Sequence, residues 1–238
     1  MEPRLPEPLT GASPVPALIV SVFGAPSEIP AQLAEAREAG ADCIEWRADL
    51  SDDWDACAEQ FEGIELPVIA TIRTDREGGK FPGHGHDYAA AAMRLARPPF
   101  AAIDVEVGRS AAYQVVPMAH DAGIPVIASH HDFTSTPRND DILATLNDMA
   151  EIEADLLKIA YMPKHSDDTW RQMELTREAK GRFGLPVISI SMGQEAAWTR
   201  VAAKACGSVA TFGALGGGSA PGQLDTHLLR RVIDALGR

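Results

Sequence analysis

The stretch "DLLKIAYMP", Asp155 to Pro163, reads as a buried β-strand: Leu156, Leu157, Ile159, Ala160, Tyr161 and Met162 make an apolar run that Pro163 ends. Lys158 lies inside that run. An ammonium buried without a partner is unfavourable, so either the aliphatic stem carries the charge to water or the amine is kept for its chemistry.

Runs of the same kind recur on both sides. They are "ALIVSVFG" from Ala17, "CIEWRADL" from Cys43, "PVIATIR" from Pro67, "AAIDVEV" from Ala101, "PVIASHHDF" from Pro125, "PVISISMG" from Pro186 and "SVATFGAL" from Ser208, which with the first makes eight. Segments of helical character separate them, among them "IPAQLAEAREAGA", "NDDILATLNDMAEIE" and "DTWRQMELTREAKGRFG", and "HLLRRVIDALG" closes the chain. Strands alternating with helices predict an α/β fold, here a single-domain (β/α)8 TIM barrel over residues 17–238, although a doubly wound open sheet has much the same local pattern. Residues 1–16, "MEPRLPEPLTGASPVP", are rich in proline and acid where a signal peptide needs a basic start and an apolar run, and read as a flexible leader.

The 238 residues carry 21 Lys plus Arg against 34 Asp plus Glu, a formal charge of −13, which argues against nucleic acid or an anionic membrane surface as partner. No apolar run approaches the ~20 residues of a membrane span. Cys43, Cys57 and Cys206 show neither a disulfide framework nor zinc spacing, which fits a reducing cytoplasm. Any anionic ligand must therefore find a local basic pocket.

Polar residues late in barrel strands are candidate site residues, because the active site forms at the C-terminal ends of the strands. Glu45 and Arg47 are two apart in "IEWRADL" and share a face; Arg73 ends "VIATIR"; Asp104 and Glu106 share a face and read as mainly structural; His131 alternates with His130. Taken singly, each has a bland reading as an ion pair or a snorkelling side chain. Their convergence with Lys158 suits amine catalysis, in which a lysine attacks a carbonyl and an imidazole moves protons. Neighbouring cations and desolvation are expected to favour the neutral amine.

Together the motifs "EWRADL", "TIRTDREGG", "SHHDFTSTP", "KIAYMP", "ISISMG", Thr199-Arg200, "GSVATFGAL" and "SAPGQL" resemble the type I 3-dehydroquinate dehydratases, shikimate-pathway enzymes that work through a Schiff base, over residues 18 to 236. The resemblance implies that Lys158 forms the imine with the C3 ketone of 3-dehydroquinate, that His131 removes the C2 proton and later helps the C1 hydroxyl leave, and that Glu77 orients the imidazole. It implies that Arg200 binds the substrate carboxylate, and that Ser21, Glu45, Arg47, Arg73, Met192, Phe212, Ser219 and Gln223 complete the pocket, the last two on a lid. It implies no cofactor and no metal, and allows a homodimer. Ala196 and Thr199 stand where relatives often carry Gly and Ser, and Gly216 to Gly218 make the lid start richer in glycine. Two rival readings are a class I aldolase, for which "LGGGSAPG" would serve as phosphate cradle, and a non-catalytic barrel that binds a small carboxylic acid. A metal site at His84 and His86 in "GHGHDY" is a weaker reading, since two histidines on a glycine-rich loop usually lie in solvent.

Overall fold

The computed structural model describes residues 4–83, 85–108, 110–216 and 220–237, apart from the side chains of 85 and 86. Strand β1 (Ala17–Val22) leads into helix α1 (Ile29–Glu38), and the alternation continues through β2 (Cys43–Arg47), α2 (Trp54–Glu59), β3 (Val68–Thr71), α3 (Gly85–Leu95), β4 (Ala102–Glu106) and α4 (Ala112–Asp121). The second half runs β5 (Val126–Asp132), α5 (Asn139–Glu151), β6 (Leu156–Tyr161), α6 (Ser166–Phe183), β7 (Val187–Ser191), α7 (Trp198–Val201), β8 (Ala210–Ala214), a two-residue β9 (Leu224–Asp225) and α8 (Thr226–Leu236). All eight predicted strands are present. Neighbours from β1 to β7 pair in parallel, and β8 returns to pair with β1, so the sheet curls into the predicted barrel.

The seam lies between β7 and β8. There the Val209 N–H donates to the Val187 carbonyl at 2.8 Å, and the Ser208 hydroxyl accepts from the Ser189 N–H at 3.1 Å. Higher up, β9 takes the free edge of β8 through Gly213↔Leu224 and Ala214↔Asp225. The barrel is thus stitched at its lower end and parted at its upper end, where a ligand must enter.

Period-two alternation sorts the side chains. On β2, Cys43, Glu45 and Arg47 face the interior while Ile44 and Trp46 pack against the helices, Trp46 stacking on Phe100 with centroids 5.3 Å apart. The lower interior is apolar, with Ile19, Ile69, Ile127, Leu156 and Ile188 in one cluster. The stretch before β1 departs from the expected flexible leader. Residues 7–9 form a 3-10 turn with a proline ahead of it, and fully buried Leu9 joins the interior cluster as its plug. Burying that side chain contributes roughly 1.5–3 kcal/mol towards ordering the turn.

Two helices differ from the sequence reading. The short α2 was not expected; Asp53 caps it by accepting from the Ala56 N–H. The segment "EAAWTRVAAKACG" yields only the four-residue α7, preceded by a 3-10 turn at Gln194–Ala196. The Thr199 hydroxyl donates to the Ala196 carbonyl at 2.8 Å, a local bond that competes with helix extension.

Candidate active site

Strand register assembles the site. Ser21 pairs with Glu45, Arg47 with Thr71, Thr71 with Asp104, Glu106 with Ser129, and Ser129 with Lys158. A girdle of polar side chains therefore sits on the apolar floor. Above it opens a cleft whose walls include Glu45, Arg47, Arg73, Glu77, His131, Lys158, Met192, Arg200, Phe212 and Gln223.

Lys158 is the third residue of β6 and is 5% exposed, so its stem does not reach bulk water. Its Nζ lies 2.9 Å from Asp104 Oδ2 and 3.1 Å from Glu45 Oε1, and 4.8 Å from the centroid of the Phe212 ring. The expectation that cations would crowd the amine is corrected here: its close neighbours are two carboxylates, the partners of an ammonium. Burial opposes charge on both acids, but Lys158 with Arg47 holds Glu45 below its ordinary value, and Arg73 with Lys158 holds Asp104 down to about 2. Arg73 donates to Asp104 at 2.6 Å, to Ser129 at 2.9 Å and to Glu106 at 3.3 Å. It lies two residues beyond β3, and its burial among these acids makes it a brace for the girdle.

His131 Nδ1 is 2.9 Å from Glu77 Oε2, and the same oxygen accepts the His131 backbone N–H at 3.0 Å. An oxygen that accepts from a backbone amide is an acceptor for the ring as well, so the proton sits on Nδ1 and the Nε2 lone pair is left for the cleft. Burial, reinforced by Arg73 and Lys158, pushes the imidazole well below its ordinary 6.5, which keeps it neutral and so able to accept a proton at neutral pH. Burial likewise raises Glu77, to about 8, against the pull of Arg73. Glu77 ends a 3-10 turn at Asp75–Glu77, which Gly78 terminates at φ +81, a left-handed conformation suited to glycine.

Arg47 is gripped by Asp49 through two bonds of 2.8 Å. Arg200 is different. It is 2% exposed, its Nε donates to the Gly222 carbonyl at 2.7 Å and its Nη2 to the Pro221 carbonyl at 3.0 Å, and among the described residues no carboxylate pairs with it. Burial lowers it to about 10, which leaves it cationic at neutral pH. The Gly193 N–H also donates to Pro221, at 3.3 Å, so the segment carrying Gln223 is pinned over the cleft.

The structure gathers Lys158, His131, Glu77, Glu45, Arg47, Arg73, Met192, Arg200, Phe212 and Gln223 around one cleft, with Ser21 reaching it by donating to Glu45 at 2.7 Å. Ser219 lies outside the described residues, as do His84 and the side chain of His86. Among the described residues no cluster of potential metal ligands forms. Asp104, read from sequence as mainly structural, touches the lysine amine. Asp49 and Ser129 were not singled out; the signal available was their position, one just past β2 and the other on the face shared by His131.

A parallel barrel with a buried lysine, a half-buried neutral histidine and an arginine that no carboxylate among the described residues pairs with, all at the C-terminal mouth, is the architecture of a barrel enzyme acting on a small anionic carbonyl compound. The family model for type I 3-dehydroquinase matches residues 19–238. A 3-dehydroquinate dehydratase of Klebsiella pneumoniae (strain 342) is 37% identical over 211 residues, 84% of each chain, and one of Listeria monocytogenes serotype 4a is 34% identical over 82% of each. Among solved structures, the type I 3-dehydroquinate dehydratase of Clostridium difficile with covalently modified comenic acid superposes with a TM-score of 0.86 at 30% identity, covering 96% of this chain and 94% of that one. The Geobacillus kaustophilus enzyme gives 0.85 at 28%, covering 93% and 91%. The chain belongs to the type I 3-dehydroquinase family, and its activity is that of a dehydratase, a lyase.

Proposed function

We propose that the chain performs the family reaction, dehydration of 3-dehydroquinate to 3-dehydroshikimate in the shikimate pathway, through an imine on Lys158. The observation that carries this reading is the meeting, in one cleft, of a buried amine, a neutral imidazole whose Nε2 no described residue engages, and a buried arginine that pairs with no acid among the described residues. The substrate carboxylate pairs with Arg200, whose planar fork accommodates two parallel charge-assisted bonds. Glu45, Arg47 and Arg73 border the ring hydroxyls, Met192 and Phe212 cover its apolar edge, and Gln223, four residues after Ser219 in the sequence, closes over it.

The Lys158 amine attacks the C3 carbonyl: the C–N bond forms, the oxygen takes protons and leaves as water, and an iminium remains. His131 Nε2 takes the C2 proton while the C2–H electrons move towards the iminium nitrogen, giving an enamine. The enamine electrons then expel the C1 hydroxyl, which leaves as water with the proton that His131 returns, and a water adds to the conjugated iminium so that the C3–N bond breaks, releasing 3-dehydroshikimate and the Lys158 amine. Glu77 holds the imidazole in the one tautomer that can do this. The three buried free cysteines fit a reducing cytoplasm, where we place the enzyme, and the reading accommodates a homodimer. Among the described residues no helix is long and apolar enough to cross a membrane.

Borohydride reduction of the enzyme mixed with 3-dehydroquinate, followed by peptide mass spectrometry, tests the scheme. The expected result is an adduct on Lys158 in the wild type, loss of both adduct and enone absorbance in Lys158→Ala, and an adduct with turnover lowered by ~10² to 10⁴ in His131→Ala. Turnover without an adduct on Lys158 would sink the reading.

A further inference from the structure

We propose that Asp104 is a catalytic residue: the fixed counter-ion that serves the Lys158 nitrogen first as ammonium and then as iminium. The inference rests on the imine reading above and assigns a role that the family resemblance did not supply.

The two carboxylates on Lys158 are held differently. Glu45 uses one oxygen for Nζ and the other for the neutral hydroxyl of Ser21, with Thr71 at 3.2 Å. Asp104 is locked on its far side. Its Oδ1 receives Arg73 Nη2 at 2.6 Å and the Ser129 hydroxyl at 2.6 Å, while Oδ2 points at Nζ, 2.9 Å away. An acid clamped by a guanidinium and a hydroxyl cannot turn, and it resists protonation. It therefore offers a permanent negative charge at a fixed place, with no reorganisation during the reaction.

Charge balance explains why such an anion suits this nitrogen. Overall, the ammonium and the ketone give the protonated imine and one water, so the nitrogen carries one positive charge before condensation and one after. The anion set for the first cation is already set for the second. It favours the protonated imine, the form able to accept the C2 electrons. When the enamine forms, that charge disappears from nitrogen and reappears on the His131 imidazolium. Asp104 loses its partner at that moment, and Arg73, bonded to its other oxygen, limits the penalty. The charged and titratable groups facing this pair are Glu45 and Arg47 from β2, Arg73 and Glu77 from the segment after β3, Glu106 on β4 and the neutral His131 on β5. Beside Lys158 the walls from β7 and β8 are Ile190 and Phe212, both uncharged. The anions nearest the nitrogen are thus Glu45 and Asp104, and of these only Asp104 is held by a cation on its other oxygen.

The test is the pH dependence of hydride trapping at saturating 3-dehydroquinate, because hydride reduces the protonated imine. In Asp104→Asn the upper limb of the trapping profile should move about 1–3 pH units to lower pH, the displacement an opposite charge in contact produces. Ser129→Ala, which loosens the clamp and keeps the carboxylate, should move it in the same direction by less. If Asp104→Asn does not fold, the Ser129→Ala profile decides alone. A wild-type profile with coincident variant profiles would overturn the counter-ion role while leaving the imine intact. No wild-type adduct on Lys158 would instead overturn the underlying reading.

Discussion

Replacing Arg200 probes the recognition half of the site, and its expected effect can be worked from the hydrogen-bond count. A guanidinium has five N–H donors. Two are engaged, by Gly222 and Pro221, which leaves three for a ligand. A carboxylate that takes two of these in parallel gains roughly 1.5–3 kcal/mol from each, about 3–6 kcal/mol together. At 1.4 kcal/mol per factor of ten, Arg200→Ala should weaken binding of the substrate carboxylate by roughly 10² to 10⁴. Part of any loss would come instead from freeing the Pro221–Gly222 segment. The two contributions separate when calorimetric binding of a cyclic carboxylate ligand and of its methyl ester is compared in both proteins. The wild type should prefer the acid by that factor, and Arg200→Ala by less than about tenfold. Arg200→Lys should fall between them, because it keeps the charge and loses the fork. An undiminished preference for the acid in Arg200→Ala would refute the assignment.

Four further outcomes are expected. His131 is pushed well below 6.5 by burial, and a base is lost when pH falls through its pKa, so the acid limb of kcat/KM should lie well under pH 6.5; steady-state rates across pH would show it. His131→Ala should lower kcat by ~10² to 10⁴ at its optimum. Leu9→Ala should reduce stability by ~2–5 kcal/mol with kcat unchanged, read by denaturant melts beside activity, because the plug lies in the apolar floor away from the chemistry. Gly222→Ala should raise KM several-fold: at φ +75 a side chain is strained, and its Cβ would collide with the Gly193 backbone on which the closing segment rests.

The reach of sequence reading is clearest around Lys158. Its strand is legible, and Lys158 and His131 stand out as candidates for the proposed imine chemistry, because ionisable residues are conspicuous inside apolar runs. Its contacts are not. Glu45 and Asp104 lie 113 and 54 residues away in the chain, and only closure of the barrel brings them to the same nitrogen. The prolines before β1 read as disorder because composition does not show that a single Leu9 finds the open end of the cylinder. The short α7 was equally hidden, since it is set by one threonine hydroxyl and by an arginine drawn inward to the closing segment.

By itself the amino-acid order determined the alternation of strands and helices, the face each strand residue occupies, and the residue types available for imine chemistry, all of which follow from periods of two and 3.6 and from side-chain reactivity. Tertiary structure decided which ionisable groups face one another: Asp104 rather than a cation beside Lys158, Glu77 behind His131 and, among the described residues, no acid for Arg200. Electrostatic energy depends on separation in space, and separation across a barrel is set by strand register and closure, which no local pattern encodes.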